Sequence, residues 1–399
     1  MSAPRMVLSA LFAACLLAPL AAVSASVAPP APPPPVAGAI PGDPVTSAAT
    51  HIAIYDVGTG QTLYCRRCNE PMAPSSMSKL MTMLVVEDLL KAGKITLDTE
   101  YPVSENAWRH GAQSDGSHMF LELNSRVRVE DLIRGVVVVS ANDACIVLAE
   151  GIAGSELAFV DLMNQRARAL GLASAHFVNV TGLPDPDHVI SATDLARLSA
   201  VIINENPALY RHYSEPSLTY NNHTQGNRNP LLGTAGADGV KTGHTSTAGY
   251  GMIGSAVING QRRIIVINGL PTERARAEEA KRLMNAAFYD FTVTSLYAKG
   301  AEVGQADVWL GSRPRAPLVA MQAIAVGAHR SIRAGMKATI VYNGPLAAPI
   351  KKGAIVAHLV VEGPGVHQEF PLAAGARIGR ANPFARAGFG LQHLFGADG

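Results

Sequence analysis

The sequence predicts an α+β fold: an antiparallel sheet covered by helices, followed by a small β-rich domain. Three observations predict it. Strand-like segments open and close the region up to about residue 292. Between them lies a long section whose apolar residues recur at helical spacing. Beyond about Val303, short apolar runs alternate with Gly and Pro turns. Strands on both sides of a helical insert suit a sheet packed under helices.

The chain opens, over residues 1 to about 25, with the layout of a secretory signal. Arg5 supplies the positive end, an apolar run extends from Met6 to about Val23, and Val23-Ser24-Ala25 offers a small-residue cleavage site. Pro19 interrupts the run, which argues against a retained anchor. Cys15 does not fit a lipoprotein site, because the apolar stretch before it is too short and continues after it. Pro29–Pro35 is a stiff, extended stretch within a linker over 26–44. The mature chain is therefore expected to be exported, with no later stretch long enough to span a bilayer.

His51–Asp56, a Gly58-Thr59-Gly60 turn and Gln61–Tyr64 read as a hairpin. Cys65-Arg66-Arg67-Cys68 follows. In an oxidising compartment a local Cys65–Cys68 disulfide is one reading and two free thiols the other. Zinc has less support, because no second ligand pair accompanies the two cysteines. From Ser76 to about Lys91, Met77, Leu80, Met81, Leu84, Val85 and Leu89 recur at helical spacing, and Gly93 stops the helix. Further helices are expected over Val129–Val139, Asn142–Ile152, Glu156–Leu170 and Ala192–Ile203, broken by loops such as Gly182–Asp187. Cys145 sits in an apolar run as a core residue. Strands return after Asp238, and Tyr250–Ile258 with Arg262–Leu270 forms a hairpin, because Asn259-Gly260 suits a type I′ turn. A helix over Thr272–Phe288 closes a domain at 45–292.

The β-rich domain is expected over 303–376, with apolar runs at Leu318–Val326, Lys337–Val341 and Ala354–Val361. In the tail, 380–399, a helical projection puts Phe384, Ala387, Leu391, Leu394 and Phe395 on one side, and Arg386 and His393 on the other. That pattern suits a helix lying in a membrane surface. Gly388, Phe389 and Gly390 spoil it, and a helix docked on its own domain is the alternative.

The length leaves room for two cores. A balance of 33 basic and 31 acidic residues, no basic block and only 6% aromatics argue against nucleic acid as a partner.

Three short motifs carry chemistry. Ser76 stands three residues before Lys79, so on a helix the amine can reach the hydroxyl. Serine is a weak nucleophile until a base takes its proton, and a buried lysine can be that base. Ser140-Ala141-Asn142 lies at the junction of two apolar helical segments, where a turn can aim side chains into a cleft. Ser104-Glu105-Asn106 matches the same pattern but falls in a polar loop soon after Ser76. Lys241-Thr242-Gly243 opens a strand ahead of His244-Thr245, and a glycine there permits close backbone approach to a ligand. His110, His118, His176 and His188 do not pair at metal-ligand spacing and are read as structural or surface residues. No metal or other cofactor is expected.

Ser-x-x-Lys, Ser-x-Asn and Lys-Thr-Gly mark the penicillin-binding proteins and serine β-lactamases. Ser76–Thr82, Ser140–Ala144, Gly182–Asp185, Asn227–Leu232 and Asp238–Thr245 resemble, more closely, the D-alanyl-D-alanine carboxypeptidases of peptidase family S11. The resemblance covers roughly 45–292. The stretch Ala348–Gly353 is similar to that family's β-rich C-terminal domain, and amphipathic C-terminal anchors are typical of the family. The resemblance implies a serine β-lactamase/DD-peptidase-like sheet with a helical subdomain, on the periplasmic face of the inner membrane. Ser78 departs from the family's usual threonine, and the Cys65–Cys68 pair has no functional account at this level.

The implied chemistry is removal of the last D-alanine from peptidoglycan stem peptides ending in D-Ala-D-Ala. Ser76 would attack the carbonyl between the two D-alanines, and Lys79 would take its proton. Ser140 would pass a proton to the leaving amine, and Asn142 would hold the substrate amide and Lys79. Backbone N–H groups of Ser76 and His244 would form the oxyanion hole. Lys241, Thr242 and His244, on the Lys241–Thr245 segment with Gly243, would bind the terminal carboxylate. β-Lactams would acylate Ser76 as substrate mimics. The alternatives are a β-lactamase, a DD-endopeptidase or an esterase on the same fold, or a non-catalytic peptidoglycan binder. The loop Gly182–Ile190 has aspartates but no Glu-x-x-x-Asn, which weighs against an efficient β-lactamase. An intact Ser76–Lys79 pair weighs against a binder.

Overall fold

The computed structural model describes residues 5–10, 43–112, 116–363 and 366–382, the first of these as a strand, β1 (Arg5–Ala10). The chain divides into two units. One comprises Val36–Phe291, and the other Thr292–Gly399 together with Met1–Pro35.

In the Val36–Phe291 unit, β2 (His51–Asp56) and β3 (Gln61–Arg66) form the first hairpin. A 3₁₀ turn, Ser75–Ser78, then leads into α1 (Lys79–Lys91). The helix expected to begin at Ser76 is thus split. Pro74 and a left-handed Ser75 (φ 51°) open it abruptly, and a short 3₁₀ turn is the common solution at such an N-terminus. Gly93 (φ 66°) ends the segment, with its N–H bonded to the Leu90 carbonyl. The short strands β4 (Glu100–Pro102) and β5 (Arg126–Arg128) flank α2 (Glu105–Ala112). In the sequence this segment reads as a polar loop. Ser104 caps it, its Oγ accepting from Ala107 N at 3.0 Å, so Ser104-Glu105-Asn106 is a helix start.

The helical insert continues with α3 (Val129–Val138), α4 (Asn142–Ala153), α5 (Glu156–Ala169), α6 (Ala192–Glu205) and the short α7 (Pro207–Tyr210). A small hairpin of β6 (Ser217–Tyr220) and β7 (His223–Gly226) precedes the return to the sheet. There β8 (Ala237–Thr245), β9 (Gly249–Ile258) and β10 (Gln261–Leu270) follow in succession, and α8 (Glu273–Tyr289) packs over them. Asn259 and Gly260 both take positive φ, as a type I′ turn requires.

The five-stranded sheet has the order β3-β2-β10-β9-β8 and is antiparallel throughout. A buried ion pair, Arg263 with Asp56, joins facing residues of β10 and β2. The core runs from this sheet into the helices through residues such as Ile54, Leu84, Val136, Ile146, Leu195 and Ile264. β8 forms one edge, so Lys241–Thr245 have a sheet neighbour on one side only.

One buried acid lies in this core. Glu87 on α1 is 1% exposed; Asn206 Nδ2 donates to its Oε2 at 2.9 Å, while Oε1 has no partner. Burial pushes its carboxyl up to about 8. Between its unfolded value near 4.3 and about 8, the native state keeps a proton that the unfolded chain has released, so stability falls as pH rises. Glu87→Gln keeps the Asn206 contact without a titrating group. The Tm difference between Glu87→Gln and wild type is expected to grow from near zero at pH 5 to roughly +5 °C at pH 8–9. A difference that does not change with pH would show that the carboxyl stays ionised in the native core.

In the other unit, β11 (Phe291–Tyr297) begins the strands and pairs with β14 (Ile324–His329). The larger sheet contains β12 (Glu302–Trp309), β13 (Arg315–Ala320), β15 (Lys337–Asn343), β16 (Leu346–Ala347), β17 (Ile355–Gly363) and β18 (Val366–Ala374). Its order is β1-β15-β17-β18-β13-β12-β16. Leu318, Ile340, Leu359 and Leu372 lie in a core of its own. The apolar run Leu318–Val326 divides between β13 and β14, which join different sheets. Among the described residues, no helix is long and apolar enough to cross a membrane. The tail beyond residue 382, where a helix is expected, and all of the leader and linker except 5–10 and 43–44, lie outside the described residues.

Candidate active site

The 3₁₀ turn fixes the first pair. At three residues per turn, side chains i and i+3 eclipse, so Ser76 and Lys79 stand together. Lys79 Nζ lies 2.8 Å from Ser76 Oγ. It donates to Asn142 Oδ1 at 2.7 Å and to the Thr181 carbonyl. The lysine is fully buried, and burial lowers its amine to about 8, with the Arg228 guanidinium adding to the effect.

Ser140 sits between α3 and α4 in the left-handed region, at φ 65°. For a serine that conformation costs about 1 kcal/mol or more. It is held because the flanking backbone is fixed: Ala141 N donates to Gly135 O at 3.0 Å and Asn142 N to Ser117 O at 2.7 Å. From the sheet edge, Lys241 Nζ donates to Ser140 Oγ at 2.9 Å and to the Thr242 carbonyl at 3.0 Å. Lys241 is 4% exposed; burial, then the Lys79 and Arg228 charges, push its amine well below the usual lysine range. Two buried amines thus face one small polar space, and both are driven toward the neutral form.

Two glycines let the walls close. A Cβ on Gly182 (φ 79°) would lie 2.1 Å from the Ser75 carbonyl oxygen, so only glycine lets this loop reach the nucleophile turn. A Cβ on Gly243 would come within 2.9 Å of the Pro74 carbonyl oxygen. The close approach at Gly243 is therefore to the Ser76 turn itself. Thr245 Oγ1 meets Ser75 Oγ at 3.2 Å on the same seam. Thr242 is 7% exposed, whereas His244 is exposed and stacks on Tyr250 at 3.9 Å. The Arg276 guanidinium lies 5.6 Å from the Tyr250 ring centre.

The structure thus brings Ser76, Lys79, Ser140, Asn142 and Lys241 together, with Thr242–Thr245 along one edge. Sequence reasoning missed four further contributors. Asn179 Oδ1 accepts from Thr181 N at 3.1 Å and Gly182 N at 2.7 Å, which aims the Thr181 carbonyl at Lys79. Asp143, 1% exposed, accepts from Met119 N and Ala144 N and so ties the 117–121 segment to the start of α4. Arg228 donates to Ser117 Oγ from the opposite rim. Arg276 is buried and paired with Glu273 at 2.7 Å. Only the Asn227–Leu232 and Asp143 neighbourhoods carried any signal, through the stretches quoted for the family resemblance.

Elsewhere, Cys65 and Cys68 form a disulfide, and Cys145 is a buried free thiol. His188 accepts from Val178 N at 3.2 Å, and burial lowers its ring to about 4. Among the described residues, no group of three or more His, Cys, Asp or Glu is placed to hold a metal ion.

Comparison with known proteins gives a consistent result. The family profile described as D-alanyl-D-alanine carboxypeptidase, peptidase S11, matches residues 39–272, and that of the penicillin-binding protein 5 C-terminal domain matches 291–381. The chain is 43% identical over 265 residues to D-alanyl-D-alanine carboxypeptidase DacD of Escherichia coli, covering 65% of this chain and 68% of the relative. The solved penicillin-binding protein 5 of Haemophilus influenzae is 35% identical with a TM-score of 0.70, over 84% of this chain and 99% of that one. Penicillin-binding protein D2 of Listeria monocytogenes, solved with ampicillin bound, is 29% identical with a TM-score of 0.55, over 61% and 98%. The fold is that of these DD-peptidases: an antiparallel sheet with a helical subdomain, and a β-rich domain after it.

Proposed function

The chain belongs to the D-alanyl-D-alanine carboxypeptidase family, peptidase S11, and from that premise we propose that it removes the terminal D-alanine of peptidoglycan pentapeptides through an acyl-serine intermediate. The observation that carries this reading is Lys79. Its amine has three partners: the Asn142 amide oxygen and the Thr181 carbonyl, which can only accept, and the Ser76 hydroxyl, which can donate. A neutral amine has two N–H groups and one lone pair. The two acceptors take the N–H groups, and the lone pair is left for the Ser76 proton.

The geometry supports the following steps. The substrate's terminal carboxylate is held at Lys241 and Thr242, in a field strengthened by Arg228 and Arg276. Ser76 Oγ attacks the penultimate carbonyl as Lys79 takes its proton, and negative charge develops on the oxygen held by the N–H groups of Ser76 and His244. The C–N bond breaks as the proton taken by Lys79 passes through Ser140 to the leaving amine, which returns Lys79 to its neutral form; Lys241 donates to Ser140 and holds it in place. D-Alanine departs. Water then attacks the ester, Lys79 again takes a proton, and Ser76 recovers its own. A penicillin follows the first half of this path and stays on Ser76.

Residues 1–25 would direct export, with 45–292 as the catalytic domain and 303–376 as the β-rich domain. Cleavage after about residue 25 would remove β1. The site would then face the periplasm, with the tail 380–399 resting on the membrane surface.

The test is mass spectrometry of the protein after brief exposure to penicillin, alongside assay of D-alanine release from a peptide ending in D-Ala-D-Ala. One added drug mass on the Ser76 peptide, with D-alanine released, is the expected result. No adduct with penicillin intact overturns the enzyme reading. Rapid penicillin hydrolysis without a lasting adduct replaces it with a β-lactamase.

A further inference from the structure

A cavity of about 570 Å³ opens past the end of β8. It is lined by His244, Thr245, Thr247 and Tyr250, by Ala73 of the nucleophile's own approach, and by His51 and Arg67. The mechanism above touches this space only at its edge, through the N–H of His244.

The polarity of the substrate assigns it. In that mechanism the terminal carboxylate lies at Lys241 and Thr242, and the attacked carbonyl lies at the N–H of His244. Lys241 and Thr242 precede His244 on β8, so a substrate bound this way runs from its carboxyl end toward its amino end in the direction of Thr245. Continuing in the same direction, the residue on the amino side of the donor D-alanine falls beyond Thr245. That is where the cavity begins.

Among the residues that line the cavity, Arg67 is the one lysine or arginine. Burial, together with Arg67, pushes the ring of His51 below its usual range. Arg67 is placed by the feature that lacked a function in the sequence. On β3 and its extension, Arg66 turns inward to Asp43, its Nη2 2.7 Å from Oδ2, and the next residue turns outward. The Cys65–Cys68 disulfide closes over Arg67, which takes a left-handed φ of 46°. Thr193 N fixes the far end of this turn by donating to the Cys68 carbonyl at 2.9 Å. The guanidinium is only loosely engaged: its Nε donates to Glu70 Oε2 at 2.8 Å, with both side chains 55% exposed. An exposed pair of this kind is weak and exchanges readily for another carboxylate.

We propose that this cavity is a specificity subsite for the side chain of the residue preceding the donor D-alanine, and that Arg67 selects a side chain ending in a carboxylate. The inference rests on the carboxypeptidase reading, and its test separates the two. Three acetylated tripeptides X-D-Ala-D-Ala are compared, with X as 2-aminoadipate, norleucine or lysine; their side chains are of similar length and end in a carboxylate, a methyl or an amine. Wild type is expected to show kcat/KM about 10-fold higher for aminoadipate than for norleucine, with lysine lowest. In Arg67→Ala the aminoadipate advantage falls to within about twofold, while kcat/KM for acetyl-D-Ala-D-Ala and penicillin acylation stay at wild-type values. Glu70→Gln frees the guanidinium and is expected to increase the advantage. If the Arg67–Glu70 pair only braced the turn, the two variants would act alike, and that result overturns the proposal. Equal rates on all three peptides in wild type overturn it too. Loss of penicillin acylation in wild type would instead remove the carboxypeptidase reading beneath it.

Discussion

Ser76→Ala is expected to abolish penicillin acylation and to lower D-alanine release by on the order of 10⁴-fold or more. The size follows from what the substitution leaves behind. Without Oγ there is no atom to form the acyl bond, and the Lys79 lone pair has no proton to take. The carboxylate site is untouched, because Lys241 reaches it from β8 and is braced on Ser140 and the Thr242 carbonyl. The loss therefore belongs in kcat, with KM or the noncovalent affinity for penicillin moving by only a few-fold. Ser76 makes one hydrogen bond in the site, to Lys79, so Tm should stay within about 2 °C of wild type. Mass spectrometry reads the adduct and calorimetry reads the fold. A penicillin adduct that persists in Ser76→Ala would move the nucleophile elsewhere.

How much of this was legible depended on how local each signal was. The Ser76–Lys79 pair needed only one turn of helix, and the Asn259-Gly260 turn only two residues with positive φ. The Thr181 carbonyl was invisible: it is a backbone atom that meets Lys79 from 102 residues away and carries no residue type to read. What aims it, Asn179, reads as a loop asparagine. Asp143 was named only as part of a resembling stretch, since its work is on N–H groups 22 and 24 residues away. The helix α2 was missed because its apolar stripe is thin: Ala107 is buried, while Glu105 and Asn106 are exposed. In the β-rich unit, Gly304 with a register shift interrupts β12, and Pro371 sits inside β18. Both break the alternation by which a strand is recognised. Ser104-Glu105-Asn106 shows the opposite failing of short motifs, since an identical pattern there caps a helix and ties Asn106 to Glu150 and Glu156.

Lys79→Met is the sharper test of mechanism, because it removes the proposed base and leaves the nucleophile. Acylation is expected to fall by about 10³-fold, within the range that a positioned base contributes. The pH dependence adds a second, independent readout. In wild type the reactive form is the neutral amine, and burial sets the folded value to about 8. The acylation rate should therefore rise with pH, about tenfold per unit below pH 8, and level off above it. In Lys79→Met that limb disappears, and the residual rate follows hydroxide alone. The same shift has a stability counterpart. A lysine whose folded value is depressed contributes stability that is present above its unfolded value near 10.4 and lost as pH falls through about 8. At pH 6–7 the native state carries that cost, so Lys79→Met should match or exceed wild type in Tm there even as it loses activity. If the limb near pH 8 survived the substitution, the titrating base would be the other buried amine, Lys241, and the roles of the two lysines would exchange.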